Sequence, residues 1–136
     1  MTAVNTIEYK YNEAITPEQL SQVFVTSGLI RPTDDYPRLE KMIAHADILL
    51  SAWSGDQLVG VARAVTDFSY CCYLSDLAVD KKYQKDGIGK TLLRLLQEHI
   101  GEEVTLILLS APGAMSYYPH VGFDKIDNGF RIARKR

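Results

Sequence analysis

Cysteine is scarce in this chain: there are two, and they are neighbours, Cys71 and Cys72. Adjacent residues of a strand point to opposite faces, so this pair is badly placed to bridge or to share a metal. A disulfide scaffold is excluded, which accords with a reducing compartment. Long apolar runs are also missing. No segment reaches the ~18 apolar residues of a membrane span, and MTAVNTIEYK lacks the apolar core of a secretion leader. The expectation is a soluble, cytoplasmic protein with no membrane partner. Charge of one sign is not in excess either, with a formal net charge of −2. A bulk basic face for nucleic acid is therefore not expected. The one cationic cluster, Arg131 and Arg134 to Arg136, reads as a solvated end. Histidine is limited to His45, His99 and His120, and no metal site is expected. What is present is 46% hydrophobic and 24% charged, the composition of a globular chain. Its 136 residues suit a single domain, 1–136.

The pattern alternates between periods of two and of 3.6 residues. Thr6 to Tyr11 reads as a strand. Thr16-Pro17-Glu18 is an N-cap followed by proline at the first helical position, and Gly28 stops that helix. Pro37 begins a second helix with Leu39, Met42 and Ile43 as its apolar stripe. Asp47 to Trp53, a Ser54-Gly55-Asp56 turn and Gln57 to Thr66 make a hairpin. Tyr70 to Val79 is a further strand. A helix from Ile88 carries Leu92, Leu93, Leu95, Leu96 and Ile100 and ends at Gly101. Val104 to Leu109 is a near-continuous apolar run, read as a central parallel strand buried on both faces. Ala114 to Val121 reads as a short helix. Gly122-Phe123 opens a final hairpin, turned at Asp127-Asn128-Gly129 and returned by Phe130 to Ala133. The order is β-α-α-β-β-β-α-β-α-β-β: a mixed α/β fold, with antiparallel strands first and a parallel strand–helix–strand unit after them.

The stretch Leu77 to Lys90, LAVDKKYQKDGIGK, carries the chemistry. A strand end, a glycine-containing turn and a helix start together make an anion site. Helix-start amides lack intrahelical partners, and the helix dipole favours negative charge there. Gly87 and Gly89 leave room for a phosphate to approach the backbone. Two familiar phosphate motifs are excluded. Gly89-Lys90-Thr91 resembles the end of a nucleotide-triphosphate loop, but Gln84 stands where its first glycine belongs, and VTLILLS has no terminal Asp for magnesium. The dinucleotide fingerprint fails at its third glycine, which is Leu92.

Gln84-Lys85-Asp86-Gly87-Ile88-Gly89 has the form Q-x-x-G-x-G and follows a strand ending Leu-Ala-Val-Asp. Some twenty-odd residues on comes Ala114-Met115-Ser116-Tyr117-Tyr118-Pro119-His120-Val121-Gly122-Phe123. Together, in this order, they resemble the GCN5-related N-acetyltransferase (GNAT) family, and the element order resembles that family's over nearly the whole chain. The resemblance implies a central mixed sheet splayed apart at the strand Tyr70–Val79, often with a bulge. It implies acetyl-CoA as co-substrate, with no metal. The pantetheine arm would pair with the backbone of Leu77, Ala78 and Val79. The pyrophosphate would lie on Gln84, Lys85, Asp86, Gly87, Ile88, Gly89 and Lys90.

The implied reaction is acetyl transfer to a primary amine, on a small molecule or a peptide, by direct attack. The resemblance makes a backbone N–H near Leu77 the oxyanion donor. It makes Tyr118, four residues before Gly122, the acid for the leaving thiolate. Asp76 is the candidate general base, facing opposite to Leu77, and His120 lies two residues past Tyr118. Acceptor recognition is implied for Ser27 to Tyr36, with Arg31, Asp34 and Asp35, for Phe68-Ser69-Tyr70 and for Phe130. Two positions depart from the family pattern. Ala111 stands where an asparagine often binds pantetheine, with Ser110 beside it, and the strand Val104–Leu109 carries no glutamate. An alternative is therefore a CoA-binding regulatory module without turnover, and a further one an interaction protein with no CoA site. A monomer or a homodimer is expected.

Overall fold

The chain is described by a computed structural model over residues 6–136; the first part of the N-terminal stretch read for a leader, residues 1–5, lies outside the described residues. The elements are β1 (Ile7–Tyr11), α1 (Pro17–Ser27), α2 (Tyr36–Ala44), β2 (Ile48–Ser54), β3 (Gln57–Thr66), β4 (Cys71–Val79), α3 (Ile88–Ile100), β5 (Thr105–Leu108) and α4 (Tyr117–His120). A 3₁₀ turn, Lys81–Asp86, joins β4 to α3, and another, Pro112–Ala114, precedes α4. The strands form one sheet in the order β1-β2-β3-β4-β5. Pairing is antiparallel from β1 to β4 and parallel between β4 and β5.

Local chemistry sets the element ends. Thr16 caps α1 by accepting from Gln19 N at 3.1 Å, while Gln19 Oε1 accepts from Thr16 N at 2.9 Å, a reciprocal capping box. Gly28 ends α1 in the left-handed region, with φ of 81°. Asp35 caps α2 by accepting from Arg38 N.

Helices cover both faces of the sheet. On one, Leu20, Val23 and Phe24 of α1 and Leu39 of α2 pack with Leu49, Trp53, Leu58, Val61 and Ala78. On the other, Ile88, Leu92, Leu93, Leu96 and Ile100 of α3 pack with Leu50, Ala52, Val59, Ala62, Cys72 and Leu74. Gly60 sits beneath α3, where a Cβ would come within 3.0 Å of Ile88 Cγ2, so the bare backbone lets helix and sheet meet. Cys72 is buried and Cys71 exposed, as alternation along a strand requires.

Three expectations are corrected. β5 is parallel to β4, but it is an edge of the described sheet and its residues are only half-buried or exposed. An apolar run reports hydrophobicity and not what covers it. The final hairpin is not formed: no strand occurs among residues 123–136, and Phe130 and Ile132 are 99% and 100% exposed. The Asp127-Asn128-Gly129 turn signal is local, whereas a hairpin without a third element is marginal. The helix expected from Ala114 to Val121 is a 3₁₀ turn followed by the single turn of α4.

Candidate active site

β4 loses its partner midway. Its parallel pairing with β5 stops at Leu74↔Leu108, while pairing with β3 continues to Val79. Between Leu74 and Asp76 the β3–β4 register slips, so that Arg63 faces Asp76, Ala64 faces Leu74, and Ser75 is the extra residue of a bulge. The bulge resets which residues face α3. Cys72 and Leu74 face it before the slip, Leu77 and Val79 after, and Ala78 lies on the α1/α2 side.

The backbone beyond the bulge has a free side. Asp80 N donates to Val59 O at 2.8 Å. In an antiparallel ladder alternate residues turn their polar groups to the same neighbour. Asp76 and Ala78 therefore address β3, and Leu77 and Val79 turn theirs into the gap left by β5. Gln84 confirms the direction at Val79, whose carbonyl accepts from Gln84 Nε2 at 3.0 Å. The Gln84 side chain thus caps the strand end.

The gap leads to the start of α3. Gly87 is left-handed, with φ of 74°, and nothing lies within 4 Å of the position a Cβ would take. α3 has no side-chain cap. Its first intrahelical bond at this end runs from Thr91 N to Gly87 O, which leaves the amides of Ile88, Gly89 and Lys90 without helical partners. Ile88 is fully buried and anchors this turn to the core. Lys82, Lys85, Asp86 and Lys90 are exposed around it. A groove of about 510 Å³ along α3 includes Lys90 and continues to Glu98 and Val121, so it meets the start of α3 only at its edge.

The two tyrosines of α4 take different places. Tyr117 reaches the first turn of α3, where a Cβ on Gly89 would lie 2.8 Å from its hydroxyl. Tyr118 packs edge-on against Phe123, with ring centroids 5.4 Å apart. Burial raises both hydroxyls above the ordinary tyrosine value; at Tyr118 the neighbouring Tyr117 adds to the rise and the charge of Arg31 opposes it. Ser110 Oγ donates to Ala111 O, a local bond.

Asp76 faces away from Leu77, as alternation requires, and its side chain is fully buried between two guanidinium groups. Arg31 Nε donates to Oδ1 at 2.6 Å, and Arg63 Nε donates to Oδ2. Arg31 Nη2 also donates to Ser75 O, and Arg63 Nη2 to Ser75 Oγ, at 2.8 and 2.9 Å. The bulge is thus clamped from β3 on one side and from the α1–α2 loop on the other. Arg63 and Ser75 had no place in the sequence reading. The available signal was an arginine inside the apolar strand QLVGVARAVT, which needs a buried anion nearby. Of the other loop residues, Asp35 is used as a cap and Asp34 is exposed. His99 stacks on Tyr11, with centroids 3.8 Å apart, and His120 is exposed. Among the described residues no cluster of His, Cys, Asp or Glu could hold a metal, and no helix is long and apolar enough to cross a membrane.

A five-stranded mixed sheet that opens beside β4 onto a glycine-bounded helix start defines an acyl-CoA-type transferase fold. Residues 11–133 match the family model described as the acetyltransferase (GNAT) domain, and the chain belongs to the GNAT family. GCN5-related N-acetyltransferase 1, chloroplastic, of Arabidopsis thaliana is 28% identical over 125 residues, covering 88% of this chain and 61% of its own length. Histone acetyltransferase TAP1 of Glycine max is 31% identical over 80 residues, covering 55% of this chain and 33% of its own. The chain spans less than two thirds of the length of either relative. A probable acetyltransferase from meticillin-resistant Staphylococcus aureus shares the fold with a TM-score of 0.80 at 21% identity, over 95% of this chain and 100% of that one. Aminoglycoside N-acetyltransferase AAC(6')-Iy, solved with CoA, shares it with a TM-score of 0.72 at 13% identity, over 100% of this chain and 99% of that one.

Proposed function

We propose that this chain transfers the acetyl group of acetyl-CoA to a primary amine by direct attack. The observation that carries the reading is the edge of β4 beyond Leu74, which among the described residues has no strand partner on the β5 side. It runs from Leu77 to Val79, whose carbonyl Gln84 caps, and on to the uncapped start of α3. One continuous path then offers strand-like pairing for an amide-containing arm and free amides for a pyrophosphate. Ile88, Gly89 and Lys90 supply the amides, Gly87 keeps their approach clear, and Lys82, Lys85 and Lys90 add positive charge. Acetyl-CoA supplies a thioester carbonyl open to attack.

The chain's own groups then do the following. The Leu77 amide points into the gap and donates to the carbonyl oxygen as negative charge grows on it. Tyr118, like any ordinary phenol, is protonated at neutral pH, burial raises its hydroxyl further, and it gives its proton to the departing sulfur. Asp76 acts as a positioning group, since both its oxygens are committed to arginine donors. The amine proton leaves to water, and the Tyr118 oxygen takes a proton back from water to restore the hydroxyl.

A second reading, a CoA-binding regulatory module without turnover, draws on Ala111 in place of the usual asparagine and on the commitment of Asp76. Thiol release from acetyl-CoA across an amine panel separates the two. The enzymatic reading expects turnover that falls at least about tenfold in Tyr118→Phe. Coenzyme A binding with no turnover on any amine would overturn it.

A further inference from the structure

The Asp76 cluster is out of charge balance. Two guanidinium groups share one carboxylate, and among the described residues neither has another acidic partner within 4.0 Å. The Asp76 side chain is wholly buried, and the Arg63 and Arg31 side chains are 10% and 28% exposed. One unit of positive charge is thus left in a partly desolvated place, where water screens it weakly. Asp34 and Asp35, the acidic residues of the same loop, pair with neither guanidinium within 4.0 Å; Asp35 caps α2 and Asp34 is exposed.

The surplus is open to a ligand at Arg31. Its bonds to Asp76, Ile30 O and Ser75 O use three of the guanidinium's five N–H groups. The remaining donors belong to a fixed planar fork, held by the bulge below and lying over the Phe24 ring, 6.0 Å from its centroid. Such a fork matches a carboxylate in geometry as well as charge. Arg31 stands on the α1–α2 loop, is bonded to Asp76, the chain neighbour of Leu77, and its charge acts on the Tyr118 hydroxyl.

We infer that the acceptor is a primary amine that also carries a carboxylate, and that Arg31 binds this carboxylate. The inference rests on the acyl-transfer reading given above and names its substrate class: amino acids and short peptides with a free carboxylate. An acceptor bearing several ammonium groups meets like charge at the same place and is disfavoured.

The test compares α-amino acids and dipeptides with their own carboxamides in two readouts. One is thiol release from acetyl-CoA. The other is the melting temperature of the full chain, saturated with coenzyme A, as each compound is titrated. The expected result is a preference for the carboxylate form of at least about tenfold in kcat/KM or in apparent affinity. Arg31→Gln brings the two forms to within about twofold of each other, and Arg31→Lys keeps part of the preference. Equal treatment of the two forms by the wild-type chain, or no response to either form in both readouts, would overturn the inference. Absence of thiol release from these compounds and from the wider amine panel refutes the acyl-transfer reading, and the melting titration then still decides whether the carboxylate is bound. Should Arg31→Gln fail to fold, the wild-type comparison decides by itself.

Discussion

Replacing Asp76 by asparagine separates a positioning role from a catalytic one. The wild-type carboxylate is fully buried, and each oxygen receives a guanidinium Nε. An amide of the same shape removes the only ionic partner that both arginines have among the described residues and turns an NH2 group toward one of the donors. Breaking a buried ion pair from one side costs about 3–5 kcal/mol, because the remaining charge stays desolvated. Arg31 is 28% exposed and recovers part of its hydration, which favours the lower end. Each kcal/mol corresponds to roughly 3–4 °C for a chain of this size, so the melting temperature should fall by about 10 °C. Thermal unfolding followed by circular dichroism, with urea titration as a check, reads this directly. Turnover measured well below the lowered melting point should fall far less steeply than removal of an essential base demands. If Asp76→Asn melts within about 3 °C of wild type yet loses activity at least about a hundredfold, Asp76 is the base and its positioning role is refuted.

Further perturbations address other parts of the molecule. Gly89→Ala should leave stability nearly unchanged, since alanine favours the helix while its Cβ displaces the Tyr117 hydroxyl now 2.8 Å away; its effect should appear as weaker acetyl-CoA binding by calorimetry. Leu92→Ala should destabilise by about 2–5 kcal/mol in urea, because Leu92 is fully buried between α3 and the sheet. Asp67 accepts from Ser69, Tyr70 and Cys71 amides, which lower its pKa from 3.8 to about 2. Its folded value lies below its unfolded one, so its contribution is present above about pH 4 and disappears as pH falls towards 2. Asp67→Ala should therefore flatten the acid limb of a melting-temperature profile over that interval.

Elements with a local cause were legible in the sequence. The Thr16 box, Gly28 and the leucines of α3 each state their structure within one or two turns of chain. The strand end, turn and helix start between Leu77 and Lys90 were legible too, because they are contiguous in the chain. The Asp76 cluster was not legible, since it joins residues 45 positions apart, Arg31 and Asp76, through a bulge that no periodicity announces. Alternation alone put Asp76 on the correct side of β4 and said nothing of what waited there. The burial of β5 was misread for a related reason. Its hydrophobicity is a property of Val104 to Leu109, whereas its cover depends on neighbours elsewhere in the chain, and it stands at the edge of the described sheet.

The most direct measurement is the rise in melting temperature that acetyl-CoA gives to three chains: wild type, Gly87→Asp and Lys81→Ala. Aspartate tolerates the left-handed backbone at Gly87 better than most residues, so the fold should persist, while its carboxylate stands at the amides proposed for the pyrophosphate. At a hundredfold excess over Kd, binding to the folded state adds about 2.7 kcal/mol, or roughly 8–10 °C here. A shift of that order in wild type and Lys81→Ala, with most of it lost in Gly87→Asp, is the expected result. Equal shifts in all three chains, or none in any, would contradict acetyl-CoA binding at the end of β4 and the start of α3.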